Sequence, residues 1–185
     1  MAYYTQQQLK KFNFRKLGKN IKISDKASLY NTNEICIDDN SRIDDFCVIS
    51  GKINIGKNVH ITPQCLLSGG IKGIILEDCT TLAYGVKVFT QSDDYSGLTM
   101  TNSTIPKNYK NEFKKQVVIK RHSIVGCSSI VMPGVTLNEG TSIGAMSLVL
   151  TDTKEWSIYV GAPAKKIKNR SKELLLLYKD FLKNN

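Results

Sequence analysis

The sequence predicts an all-β fold, a parallel β-helix built from hexapeptide repeats, on three observations. First, an aliphatic residue recurs every six positions at Ile37, Ile43, Ile49, Ile55, Ile61 and Leu67. It resumes at Leu76, Leu82 and Val88, and again at Ile119, Val125, Val131, Leu137, Ile143 and Val149. Second, a compact residue stands four positions after many of these: Ser41, Cys47, Ile53, Val59, Cys65, then Ser123, Ser129, Val135, Thr141 and Ser147. Third, turn formers punctuate the beat, as in Gly56-Lys57-Asn58, Pro133-Gly134 and Asn138-Glu139-Gly140. Helices repeat every 3.6 residues and strands every two. A period of six means one short strand plus one turn per unit, and such units stack into a solenoid. A β-sandwich spaces its strands at about 8–12 residues and does not give this beat.

The elements follow in order. Residues 1–20 read as a helical segment, a short basic helix with Leu9 and Phe12 on one face. Residues 21–160 read as the β-helix, with Ile23 and Leu29 in step in an irregular first coil. Within it, residues 91–117 are polar and carry no beat, so they read as a protruding loop, and a long loop in a compact fold is usually functional. Residues 161–185 form a closing connection and a terminal helix. Ser171 is its N-cap, and Leu174, Leu177, Tyr178 and Phe181 are its apolar stripe. Its expected place is over the open end of the solenoid, where a bare edge invites aggregation.

Composition narrows the function. No apolar run approaches the roughly 18 residues of a membrane span. The N-terminus lacks a signal peptide's apolar stretch, so the expected location is cytoplasmic. The five cysteines are scattered and form no CxxC pair, which argues against a disulfide framework or a zinc site, and no metal is expected. The net charge of +10 gathers at the two ends without interleaved aromatics, so no nucleic acid partner is expected.

The C-terminal coils carry a more specific pattern: Ile124-Val125-Gly126-Cys127, Val131-Met132-Pro133-Gly134-Val135, Ile143-Gly144-Ala145 and Gly161-Ala162-Pro163-Ala164-Lys165-Lys166-Ile167. In these motifs the chain resembles the hexapeptide-repeat acyltransferases, in particular bacterial sugar O- and N-acetyltransferases of the galactoside/maltose acetyltransferase and surface-polysaccharide type. The resemblance runs from about Ile21 to Arg170. It implies a left-handed β-helix, a homotrimer with active sites between subunits, and acetyl-CoA as co-substrate. The acceptor it implies is a sugar or nucleotide sugar in lipopolysaccharide or related surface-glycan synthesis. A non-catalytic β-helix binding scaffold is the alternative.

The resemblance places the acyl-CoA contacts at Cys127, Ala145, Thr151, Lys165 and Lys168. Gly144 and Ala145 keep the surface low enough for a pantetheine arm to approach the backbone. Lys165 and Lys168 suit the nucleotide phosphates as point charges. The family often has Lys at the place of Thr151 and Arg at that of Lys165.

Acyl transfer needs a proton acceptor near the attacking atom. His60 ends its hexapeptide, where side chains point outward, and its Val59-His60-Ile61-Thr62-Pro63 context resembles related amino-sugar N-acetyltransferases. It is the first candidate for the base. The catalytic His of galactoside-type enzymes, in the loop, is missing here, and Asp93 and Asp94 stand in its place beside Tyr95. Either acid could bind the acceptor, orient a base or accept the proton. Asp44 and Asp45 form a second acidic pair, assigned together with Tyr95 to acceptor binding. The missing loop His favours an amine acceptor, because an uncharged amine attacks a thioester without prior deprotonation.

Overall fold

The hexapeptide beat becomes three flat faces of parallel strands in a computed structural model that describes residues 2–184. The first face stacks Lys16–Leu17, Ile35–Ile37, Ile53–Ile55, Ile74–Leu76, Val117–Ile119 and Thr136–Leu137. The second runs from Lys22–Ile23 through Arg42–Ile43, His60–Ile61, Thr81–Leu82, Ile124–Val125 and Ser142–Ile143 to Ser157–Val160. The third holds Ser28–Tyr30, Val48–Ser50, Leu66–Ser68, Lys87–Phe89, Ile130–Val131 and Leu148–Val149. The chain visits the faces in turn, so each coil lies on the one before.

Register makes the core. Ile43 lies on Ile61, Ile61 on Leu82, Leu82 on Val125 and Val125 on Ile143. All of these are buried, as are the compact partners Cys47, Val59, Cys65, Ser123 and Ser129. Each fully buried aliphatic side chain contributes about 1.5–3 kcal/mol of transfer free energy. The inward serines find acceptors: Ser41 donates to the Gly56 carbonyl at 2.7 Å and Ser129 to that of Gly144 at 2.8 Å. Corners repeat with the same period. Phe46, Gln64, Ser128 and Met146 all take a left-handed conformation where the second face turns into the third, and Gly85 joins them there.

The ends differ from the sequence expectation. The N-terminal helix, α1, occupies only Gln6–Lys10, capped by Thr5 and Gln8. Lys16–Leu17 is already a strand of the first face, inside the segment expected to be helical. Leu9 is fully buried and Tyr4, Phe12 and Phe14 pack beside it, so this segment plugs the first end of the core. The second helix, α2, spans Leu174–Asn184 and buries no residue. It does not cover the last coil. Strand Lys165–Asn169 folds back antiparallel onto Ser157–Val160 and takes that edge, and the chain leaves beside His122. There the Tyr178 ring stands edge-on to His122. In the loop, Gln91–Ser92 pairs antiparallel with Phe113–Lys114, and Val117 already belongs to the first face.

Candidate functional site

His60 lies on the outer side of the second face, between Arg42 and Thr81 in the ladder. Ile43 and Ile61 point inward, so their neighbours Arg42 and His60 point out. Asp44 follows at the corner, and its main-chain N–H donates to the Ile61 carbonyl at 3.0 Å. Its side chain is only 2% exposed. His60 Nε2 lies 2.9 Å from Asp44 Oδ2, and Arg42 Nε donates to Asp44 Oδ1 at 2.6 Å. The Tyr3 hydroxyl donates to the same Oδ1 at 3.3 Å. Burial alone would raise the Asp44 carboxyl, but the hydrogen bonds from Arg42 and His60 outweigh it and hold the group below the usual carboxylate range.

Asp44, assigned from sequence to acceptor binding, therefore turns toward His60 and not outward to solvent. Asp45 accepts from the Ser24 hydroxyl at 2.5 Å and lies 3.9 Å from Lys26 Nζ, which ties it to the first coil. Arg42 and Tyr3 were not singled out from sequence. For Arg42 the signal was present: 60 − 42 is 18, three hexapeptides, so the two residues stack in one ladder. Nothing in the sequence pattern marks Tyr3.

The loop acids form a separate cluster. Asp94 accepts from the Ser96 hydroxyl at 2.6 Å, the Ser96 N–H at 2.8 Å and the Thr99 hydroxyl at 2.9 Å. The Ser96 hydroxyl first, then the other donors, lower its pKa, so Asp94 is a poor proton acceptor. Asp93 receives one long bond, from the Asn102 N–H at 3.4 Å. Both line an open cleft of about 660 Å³ with Tyr95, Gly97, Met100 and Ile105. Tyr95 is 91% exposed.

The residues expected to meet acyl-CoA fall into two groups, with Thr151 outside both. Cys127, Gly144 and Ala145 stack where the second face meets the third, with the Met146 N–H donating to the Cys127 carbonyl at 2.8 Å. The approach there is close: a Cβ on Gly126 would sit 2.5 Å from the Ala145 nitrogen, and one on Gly144 would sit 2.7 Å from Val160 Cγ1. Lys165 and Lys168 are exposed on the returning strand, opposite Val160 and Ile158. Thr151 follows the last third-face strand and is exposed, apart from the Cys127 corner.

The fold defines the chain as a hexapeptide-repeat solenoid, and the comparisons with known proteins supply its chemistry. No family model matches the chain. It is 42% identical to an Escherichia coli dTDP-4-amino-4,6-dideoxy-D-glucose acyltransferase over 98% of this chain and 95% of that one. It superposes on a variant of AntD, an N-acyltransferase from Bacillus cereus in complex with dTDP and coenzyme A, with TM-score 0.99 and 42% identity over the whole of both chains. The AntD complex with dTDP and 3-hydroxybutyryl-CoA gives TM-score 0.98 at 43% identity, covering 99% of this chain and 97% of that one. A Vibrio cholerae hexapeptide-repeat acetyltransferase shares the fold at 17% identity and TM-score 0.58, covering 93% of this chain and 84% of that one. The chain belongs to the hexapeptide-repeat acyltransferase family.

Proposed function

We propose that this protein transfers an acetyl group from acetyl-CoA to the 4-amino group of a dTDP-linked 4-amino-4,6-dideoxyhexose. The observation that carries the reading is end-to-end similarity to an enzyme of that acceptor class, 42% over 98% of the chain. The uncharged amine attacks the thioester carbonyl and the C–N bond forms. The tetrahedral intermediate then collapses with cleavage of the C–S bond, and the amine's surplus proton passes to His60. Asp93, whose carboxylate has one long hydrogen bond and faces the loop cleft, binds the acceptor. Cys127, Gly144 and Ala145 form the wall along which the pantetheine lies, and Lys165 and Lys168 meet the nucleotide phosphates.

The active unit is a homotrimer with sites between subunits. Outward apolar residues on the third face, Val48 and Leu66 on one side of Lys87 and Ile130 and Leu148 on the other, support this reading. So do exposed Phe46 (59%), Tyr84 (59%) and Met146 (78%) along the neighbouring corner. An acylated nucleotide sugar is a glycosyl donor, so the product enters lipopolysaccharide or another surface glycan, made from cytoplasmic precursors.

The test is thiol release from acetyl-CoA and 3-hydroxybutyryl-CoA with dTDP-4-amino-4,6-dideoxy-D-glucose, set against dTDP-hexoses that carry only hydroxyls. Turnover confined to the amino sugar supports the reading. Turnover on the hydroxyl acceptors alone makes the protein an O-acyltransferase. Failure to bind coenzyme A and to release thiol with any acceptor leaves a non-catalytic scaffold.

A further inference from the structure

We infer that Arg42 and Asp44 are positioning residues that fix His60 as its Nε2–H tautomer and so present Nδ1 as the proton acceptor of the acyl-transfer site. The inference rests on the reading of His60 as that acceptor. Its first observation is burial. Asp44 is 2% exposed, yet both its oxygens are engaged, Oδ1 by Arg42 and Tyr3 and Oδ2 by His60. A buried carboxylate beside a guanidinium at 2.6 Å is ionised and only accepts hydrogen bonds. The 2.9 Å contact to His60 Nε2 must then be an N–H donating to oxygen. The opposite tautomer would set a nitrogen lone pair against a carboxylate lone pair. In the neutral ring the remaining lone pair is on Nδ1, and the side chain is 38% exposed, so an incoming group can reach the ring.

The second observation is where the pair is mounted. Arg42 and His60 occupy paired positions of adjacent strands, and Asp44 is tied to the Ile61 carbonyl. Strand mounting holds a functional group more tightly than loop mounting. The Tyr3 ring closes the other side, 5.6 Å from the Arg42 guanidinium carbon and anchored through the Tyr3–Ser24 bridge. The other ionisable groups facing the cluster are Asp45, held by Ser24 and Lys26, and Tyr84 of the coil beyond His60.

Two measurements test this. The chain has two histidines, so two-bond 1H–15N correlation spectra of 15N-histidine-labelled protein resolve both rings. The expected result is an Nε2–H tautomer at His60 in the wild type and a changed tautomer in Asp44→Asn. An Nδ1–H tautomer in the wild type overturns the inference. The second measurement is kcat/KM against pH with the acceptor that supports turnover. Asp44→Asn is expected to lose roughly 10²-fold or more across the pH range, since an amide no longer fixes the tautomer. Arg42→Lys keeps a cation beside Asp44 and is expected to keep most of the rate. A folded Asp44→Asn with the wild-type rate and pH profile overturns the inference even where His60→Ala is inactive. Wild-type turnover by His60→Ala sinks the base assignment itself, and the tautomer spectrum then decides the positioning separately.

Discussion

The Tyr178 ring of α2 stands edge-on to the His122 imidazole, with centroids 4.6 Å apart and planes at 76°. Trp156 flanks the same imidazole at 6.3 Å, and Arg170 Nη1 donates to the His122 carbonyl at 2.7 Å. His122 thus sits at the junction of the solenoid wall, the returning strand and the terminal helix. It takes the left-handed corner conformation at φ +61°, which few residues tolerate.

Burial pushes the His122 imidazole below its usual range. The unfolded chain, with an ordinary imidazole near about 6.5, then binds more protons than the folded one as pH falls. Folding stability is full above that value and declines as pH drops toward the folded pKa. His122→Asn keeps a side chain that tolerates the corner and removes the titration. The variant is expected to be less stable at all pH for want of the Tyr178 contact. Its thermal midpoint should also vary less than that of the wild type between pH 7 and 5. Equal pH slopes in the two proteins would remove His122 as the source.

Gly126 has no room for a side chain: an added Cβ meets the Ala145 nitrogen at 2.5 Å and the Gly144 carbonyl carbon at 2.7 Å. Both are backbone atoms of the next coil and cannot swing away. Gly126→Ala is expected to cost about 1–3 kcal/mol, as overpacking does, and to part the coils at the corner assigned to pantetheine. Denaturant melts measure the first effect and the KM for acyl-CoA the second. A neutral substitution would show that the coils slide freely there.

The core was legible in the sequence because one physical rule covers it: every sixth side chain enters the prism. That rule located Ile43, Ile61 and Val125 and their compact partners without knowledge of the third dimension. The ends were less legible because no repeat governs them. An apolar stripe on α2 predicted a lid, whereas the returning strand took the last edge, and of the stripe Tyr178 meets the wall at His122 while Leu177 and Phe181 are exposed. At the site, the outward placement of His60 followed from the beat, but the direction of Asp44 did not. Whether a corner acid faces solvent or its neighbour in the next coil depends on Arg42, 18 residues before His60 (60 − 42 = 18), and only stacking reveals that pairing.

Asp94 and Asp93 should separate on mutation. Asp94 accepts three hydrogen bonds from Ser96 and Thr99 and shapes the loop tip. Its loss should raise protease sensitivity between residues 93 and 112 and leave the melting of the solenoid almost unchanged, since the loop adds nothing to the core. Asp93→Asn should leave the loop intact and raise the KM for the acceptor. Limited proteolysis and acceptor kinetics on both variants distinguish the two roles. Equal loop sensitivity in the two would merge them.

Lys165 and Lys168 lie on a fully exposed strand, so whatever they contribute to acyl-CoA is screened by salt. An exposed charge contact is worth about 0.2–1 kcal/mol, so each Lys→Ala change should raise the KM for acyl-CoA at most about 5-fold. The phosphates lie far along the cofactor from the thioester, so kcat should hold. Salt provides the second axis. The wild-type KM should climb as ionic strength rises, because the Debye length shrinks from about 30 Å at 0.01 M to about 10 Å at 0.1 M. In the double variant the climb should be shallower, since the charges being screened are gone. Were KM and its salt slope unaltered in the double variant, these lysines would be a solvated edge that keeps the last strand from pairing with another chain, which is what lysines on an exposed strand commonly do.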